Sequence, residues 1–185
     1  MRKKQRIAIV FIVVLFGSVY GLCRFLLHYY YPFGCYHRCD KQLWFALQEY
    51  AQQHGGKFPC GQASPEASLS LLGPNYGYLL RRRDVPLDVV QQMLDSGELL
   101  GPETCGYNYV EGLCINSNPK LALFWDKEGL SEMGERLTAG GHLVTYVGAD
   151  CQYISEAEFG DFLDQQRKLL ADEKFKARHT ERSEP

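Results

Sequence analysis

Seventeen consecutive residues, Ile7–Cys23 (IAIVFIVVLFGSVYGLC), carry no charge. A helix made of them has no polar side to turn to water, so a buried place in a soluble fold does not suit it. As a helix the run spans about 26 Å at ~1.5 Å per residue, slightly short of a hydrocarbon core of ~30 Å. Arg24 extends it by snorkelling, and Phe25–Tyr31 (FLLHYYY) keeps the apolar character and brings tyrosines to the interface. Arg2, Lys3, Lys4 and Arg6 crowd in front of the run, whereas the first acid is Asp40. A basic flank of this kind predicts a cytoplasmic N-terminus. The chain therefore divides into a basic tail (1–6), a transmembrane anchor (7–27), an extracytoplasmic domain (28–171) and a charged tail (172–185) expected to be disordered.

Two rivals share the pattern of a basic start and an apolar run. A cleaved secretory signal needs small residues at the cleavage point, and Tyr20-Gly21-Leu22-Cys23-Arg24 is bulky there. A lipoprotein signal ending at Cys23 wants Gly or Ala before the cysteine, where this chain has Leu22. An uncleaved anchor, in an inner membrane with the domain on the periplasmic side, is the expectation.

Beyond the anchor the chain is acidic. With Arg2, Lys3, Lys4, Arg6 and Arg24 set aside, 15 of the 20 basic residues remain against 22 acidic ones. Nucleic-acid affinity comes largely from Lys and Arg neutralising phosphates, so no nucleic-acid partner is expected. The run Arg81-Arg82-Arg83 reads as a solvated face or a helix C-terminus.

Of the seven cysteines, Cys23 sits in the anchor and reads as an apolar residue. Cys35, Cys39, Cys60, Cys105, Cys114 and Cys151 all follow it. An even number outside the cytoplasm suggests up to three disulfides, among 15 pairings that sequence leaves open. Cys105 and Cys114 flank a segment (GYNYVEGL) that could close a loop. Cys35, His37 and Cys39 also offer three metal donors, but no second pair follows at structural-zinc spacing. Neither Cys-x-x-Cys nor Cys-x-x-Cys-His is present.

The domain reads as α+β. Asp40–His54 has the period of an amphipathic helix, with Leu43, Leu47, Tyr50 and Ala51 on one side, and Gly55-Gly56 stops it. Ser64-Pro65-Glu66 starts a short helix, and Pro86 a second that runs to Asp95. Short strands are expected around Tyr107–Val110 and Leu121–Trp125. His142–Val147 and Cys151–Ile154 form a hairpin around Gly148-Ala149-Asp150. Ser155-Glu156-Ala157-Glu158 is a capping box, with Ser155 on the first amides and Glu158 reaching back, opening a closing helix. The sheet is expected to bury its apolar face against the first helix of the domain.

Four phrases in this order resemble the pseudopilin-like proteins related to the type II secretion major pseudopilin and the type IV pilins. They are LWFALQEYAQQHGGKFP (43–59), GPETCGYNYVEGL (101–113), NPKLALFWDKEG (118–129) and GGHLVTYVGADCQYISEAEF (140–159). The resemblance implies an anchor helix, an amphipathic helix on a small antiparallel sheet, and a place in a secretion or pilus-type system. In that family a calcium site can occur in the C-terminal loop, and Asp126, Glu128 and Asp150 could supply oxygen donors to one, but no contiguous calcium loop is present and a solvated turn is the expectation. The chain departs from the family at its start. No Gly-Phe-Thr-Leu-x-Glu signal occurs, the apolar run holds no Glu, and Gly17 precedes Ser18-Val19. The anchor reads as a permanent tether rather than a polymerisation stem.

No Gly-x-Ser-x-Gly elbow, phosphate loop or His-Glu-x-x-His occurs. His37, His54 and His142 read as structural histidines. The expectation is a non-enzymatic, membrane-anchored protein with no catalytic residues and no cofactor, whose partners are the lipid bilayer and other envelope or secretion-system proteins. The alternative is a membrane-tethered enzyme or metal-binding module using His37, Asp126, His142 or Asp150.

Overall fold

One unbroken helix, α1 (Lys3–Tyr30), begins the chain. The computed structural model describes residues 3–35, 37–137 and 139–181; Arg2 of the basic tail and residues 182–185 of the C-terminal tail lie outside them. From Val10 to Tyr30, α1 is long and apolar enough to cross a membrane, and none of that stretch is buried by the rest of the chain. It ends where Pro32 removes an amide donor and restricts Tyr31.

After a connector, α2 (Asp40–Gln53) buries Leu43, Leu47 and Ala51. Gly56, at φ 80°, takes the left-handed conformation that turns its amide back to the Ala51 carbonyl at 2.7 Å. Carbonyls left open at a helix end are satisfied in this way. The middle of the domain is short helices: α3 (Pro65–Leu69), two 3-10 turns (Ser70–Leu72 and Pro74–Tyr76), α4 (Gly77–Leu80) and α5 (Leu87–Asp95). Ser64 caps α3 by accepting the Ala67 amide at 3.2 Å.

Four strands, β1 (Tyr107–Tyr109), β2 (Ala122–Asp126), β3 (His142–Tyr146) and β4 (Cys151–Ile154), form one antiparallel sheet in chain order. The register sets Tyr107 opposite Asp126, Trp125 opposite Val144 and Thr145 opposite Cys151. Side chains alternate between the two faces. Tyr107, Tyr109 and Phe124 join Leu43, Leu47 and the middle helices in the main core. Val144 and Ile154 turn the other way, to Phe159 and Phe162 of α6 (Glu156–Glu181). The sheet thus has a helix on each face, where sequence had assigned one.

A bulge between Ala122 and Phe124 breaks the β2–β3 ladder, and buried Gln166 of α6 covers the break. It accepts the Ala122 amide at 2.8 Å and donates to the Lys120 carbonyl at 3.3 Å. Buried backbone groups need partners, and a bulge leaves some to be found elsewhere.

Three expectations are corrected. The helix continues to Glu181 through a stretch rich in Ala, Glu, Lys and Arg, all good helix formers, so residues 172–181 are helical. At the start of α6 the Ser155 hydroxyl donates to the Glu158 carboxylate at 2.6 Å instead of capping the first amides. Within the basic triplet Arg83 is buried, for reasons that belong to the site below.

Candidate functional site

The polar chemistry of the domain gathers at the end nearest α1. Arg38, just before α2, places its guanidinium in the interior. It forms an ion pair with Asp126 at the end of β2, donates to the Arg81 carbonyl at 3.1 Å, and lies 4.5 Å from the centre of the Tyr107 ring. Arg38 and Asp126 side chains are 1% and 4% exposed. Tyr107 donates its hydroxyl to Asp40 at 2.6 Å. Asp126 also accepts the Glu128 amide at 2.6 Å, and Glu128 accepts the Arg83 amide at 2.8 Å. Arg83 donates to the carbonyls of Ser131 and Glu132 at 2.9 and 3.1 Å. A buried charge is tolerated only when paired and hydrogen-bonded, and here each one ties two segments together.

Electrostatics follow from the enclosure. Burial pushes the Asp40 carboxyl up to about 6, against the Tyr107 hydrogen bond and the Arg38 charge, which favour the anion. Glu128 is raised as well, by burial and then by Asp126, with the Arg83 amide and the charges of Arg38 and Arg83 opposing. Its Oε2 lies 3.9 Å from Arg38 and 3.7 Å from Arg83, beyond hydrogen-bonding distance.

The loop after Glu128 grips the end of α1. Arg136 donates its amide to the Tyr30 carbonyl at 2.7 Å and its Nε to the Tyr29 carbonyl at 3.2 Å. These are orphan carbonyls of a helix C-terminus. The Glu132 carbonyl accepts the Arg38 amide at 2.9 Å. One loop therefore joins the end of α1, the start of α2 and the buried charges. Beside it opens a cavity of about 820 Å³, lined among others by Phe33, Arg136, Gly140, Gly141, His142 and Glu156.

The residues expected to bear chemistry are dispersed. Asp126 and Glu128 lie together, but their oxygens face arginines and backbone amides, and Asp150 sits in the β3–β4 turn at the opposite end of the sheet. These three do not fit a calcium cage. Among the described residues no group of three His, Cys, Asp or Glu is arranged to hold a metal ion. His37 lies 3.5 Å from Glu132, His54 donates to the Tyr50 carbonyl at 2.7 Å, and His142 Nδ1 donates to the Asp126 carbonyl at 2.6 Å.

The six cysteines expected to form disulfides, Cys35, Cys39, Cys60, Cys105, Cys114 and Cys151, are free thiols in this structure, as is Cys23. Backbone pairing explains why Cys105 and Cys114 do not close a loop together. Cys105 bridges to Arg81, whereas Cys114 bridges to Lys57. Three thiols have local polar neighbours: Cys105 the Tyr107 carbonyl at 3.7 Å, Cys114 the Ser117 hydroxyl at 3.5 Å, Cys151 the Thr145 hydroxyl at 3.3 Å.

Arg38, Asp40, Arg83, Tyr107 and Arg136 were missed as site residues by the sequence reading. One signal was available: Asp126 ends an otherwise apolar strand, and an acid so placed requires a buried cation. Nothing local identifies that cation, because Arg38 is 88 residues away. No family model matches the chain, and neither a curated protein nor a solved structure matches it.

Proposed function

We propose that this chain is a non-enzymatic, single-pass membrane protein of pilin-like build, serving as a protein-interaction or structural component of a secretion or pilus-type envelope system. In this reading the N-terminus is cytoplasmic and the domain stands in the periplasm, held at the inner membrane by α1. One observation carries it: a 21-residue apolar segment, Val10–Tyr30, with no part buried, is hydrogen-bonded at its end to the domain. The order of anchor, amphipathic helix and antiparallel sheet supports the pilin-like part, together with the four sequence phrases. The missing signal glutamate supports a tether over a filament subunit.

Topology is the test. In intact cells a membrane-impermeant maleimide should label the exposed Cys60, and should label a cysteine introduced by Gln5→Cys only after the membrane is opened. Labelling in the reverse order, or recovery of the whole chain in the soluble fraction, overturns the reading. Cross-linking of the membrane-bound chain should then capture envelope-assembly proteins; capture of none would remove the secretion-system part.

A further inference from the structure

The cavity at the foot of α1 lies at the depth of lipid headgroups. Val10–Tyr30 is 21 residues, about 31 Å at ~1.5 Å per residue, which matches a hydrocarbon core of ~30 Å. Tyr30 then marks the edge of the core, and Pro32 and Phe33, which line the cavity, stand in the headgroup layer. A volume of about 820 Å³ is within the range of small-molecule sites.

The walls carry both signs of charge. Arg82 is tied to Asp84 and Glu103, and Lys127 to Glu66. Arg136 has no carboxylate partner among the described residues. Its Nε is committed to the Tyr29 carbonyl and its guanidinium lies 5.5 Å from the Tyr29 ring centre, which leaves the Nη groups for an anion. A guanidinium held this way presents a fork suited to phosphate oxygens. Glu156, also in the wall, lies over Gly140, so close that a Cβ there would stand 3.2 Å from its Cβ. Its carboxylate is exposed and has no cation partner among the described residues. Because His142 Nδ1 donates to the Asp126 carbonyl, the neutral ring keeps a lone pair on Nε2.

We propose that this cavity binds the headgroup of a zwitterionic phospholipid from the bilayer that α1 crosses, with phosphate at Arg136 and a primary ammonium at Glu156 and His142 Nε2. The proposal rests on the membrane-tethered reading. A purely anionic headgroup meets the Glu156 charge, and a quaternary ammonium has no N–H to donate. The site therefore selects ethanolamine-type over glycerol-type and choline-type lipids.

The test uses the full-length chain in nanodiscs of phosphatidylcholine alone, or mixed with phosphatidylethanolamine or phosphatidylglycerol. Native mass spectrometry after release should find one phosphatidylethanolamine retained, preferred about 10-fold over the other two, as one good charged hydrogen bond provides. Glu156→Gln should abolish the preference, and Arg136→Gln should lower retention of all three lipids, because each carries the phosphate; Asp161→Asn, further along α6, should keep both retention and preference. Soluble glycerophosphoethanolamine should compete, because recognition lies in the headgroup. Equal retention of all three lipids by a chain whose α1 is still protected from protease overturns the site and leaves the tether standing. A chain that fails to insert overturns the tether, and the site with it.

Discussion

Arg38 and Asp126 form an ion pair in the interior although 88 residues separate them in the chain. The pair joins the segment leaving α1 to the last residue of β2. Removing one member of a buried pair leaves the other charge without compensation, which costs about 3–5 kcal/mol. Arg38→Met and Asp126→Asn should each destabilise the domain by that amount. The double variant Arg38→Met/Asp126→Leu should lose less than the two together, because the charges vanish as a pair. Urea unfolding of the full chain in micelles, followed by Trp44 and Trp125 fluorescence, measures all three.

Asp40 gives stability a dependence on mild acid. Its carboxyl titrates at about 6 when folded and near 3.9 when unfolded. The folded state thus holds the proton more tightly, and the contribution of this group is fully present below ~3.9 and lost as pH rises through ~6. A change from pH 7 to pH 5 should therefore raise its contribution by about 1–2 kcal/mol. Asp40→Asn should flatten that part of the profile in urea unfolding at stepped pH; an unchanged slope would show that Asp40 does not set it.

Ala149, in the β3–β4 turn, has φ 71°. A left-handed conformation costs a residue with a Cβ about 1–2 kcal/mol. Ala149→Gly should raise stability, by about 1 kcal/mol after the added flexibility of the unfolded chain is counted. Thermal melts of the two chains would detect it as a higher Tm.

Gly141 makes the opposite case. It has φ 92°, and a Cβ on it would overlap the Ile154 carbonyl oxygen and lie 2.8 Å from the Glu156 amide. Gly141→Ala must push β3 away from the end of β4, and a loss of ~3 kcal/mol or more is expected. Retention of the wild-type Tm would be incompatible with the packing described.

Thiol reactivity should divide the cysteines of the reduced chain. Burial pushes the Cys105 thiol up to about 11 and encloses it, whereas Cys35 and Cys60 are exposed. Only a thiolate reacts readily. Maleimide should modify Cys35 and Cys60 in the native chain and Cys105 only on unfolding, as peptide mapping by mass spectrometry would show.

Local patterns made much of the fold legible. The period of Leu43, Leu47 and Ala51 identified α2, Ser64-Pro65 the start of α3, and the run Cys151–Ile154 the last strand. What escaped depends on distance along the chain. Arg83 reads as part of a solvated basic triplet because its carbonyl partners, Ser131 and Glu132, lie 48 and 49 residues on. Gln166 occupies an apolar position in the α6 period, and only the bulge at Ala122 explains it. Helix in the C-terminal segment was missed because sustained apolar periodicity was required, whereas intrinsic propensity alone favours helix there. Arg136 carries no signal of its role, since what it binds are carbonyls common to every helix end.

The hydrogen bonds from Arg136 to the Tyr29 and Tyr30 carbonyls make the attachment an elbow and not a swivel. With that joint closed, and with α1 in the bilayer as proposed above, turning the helix about its own axis would turn the domain, and tilting it in a thinner bilayer would tip the domain toward the surface. A protein gripping the far end of the sheet would then pull on a lever whose fulcrum is the headgroup layer. On that proposal, bilayer thickness would become a variable that sets which side of the domain its neighbours meet.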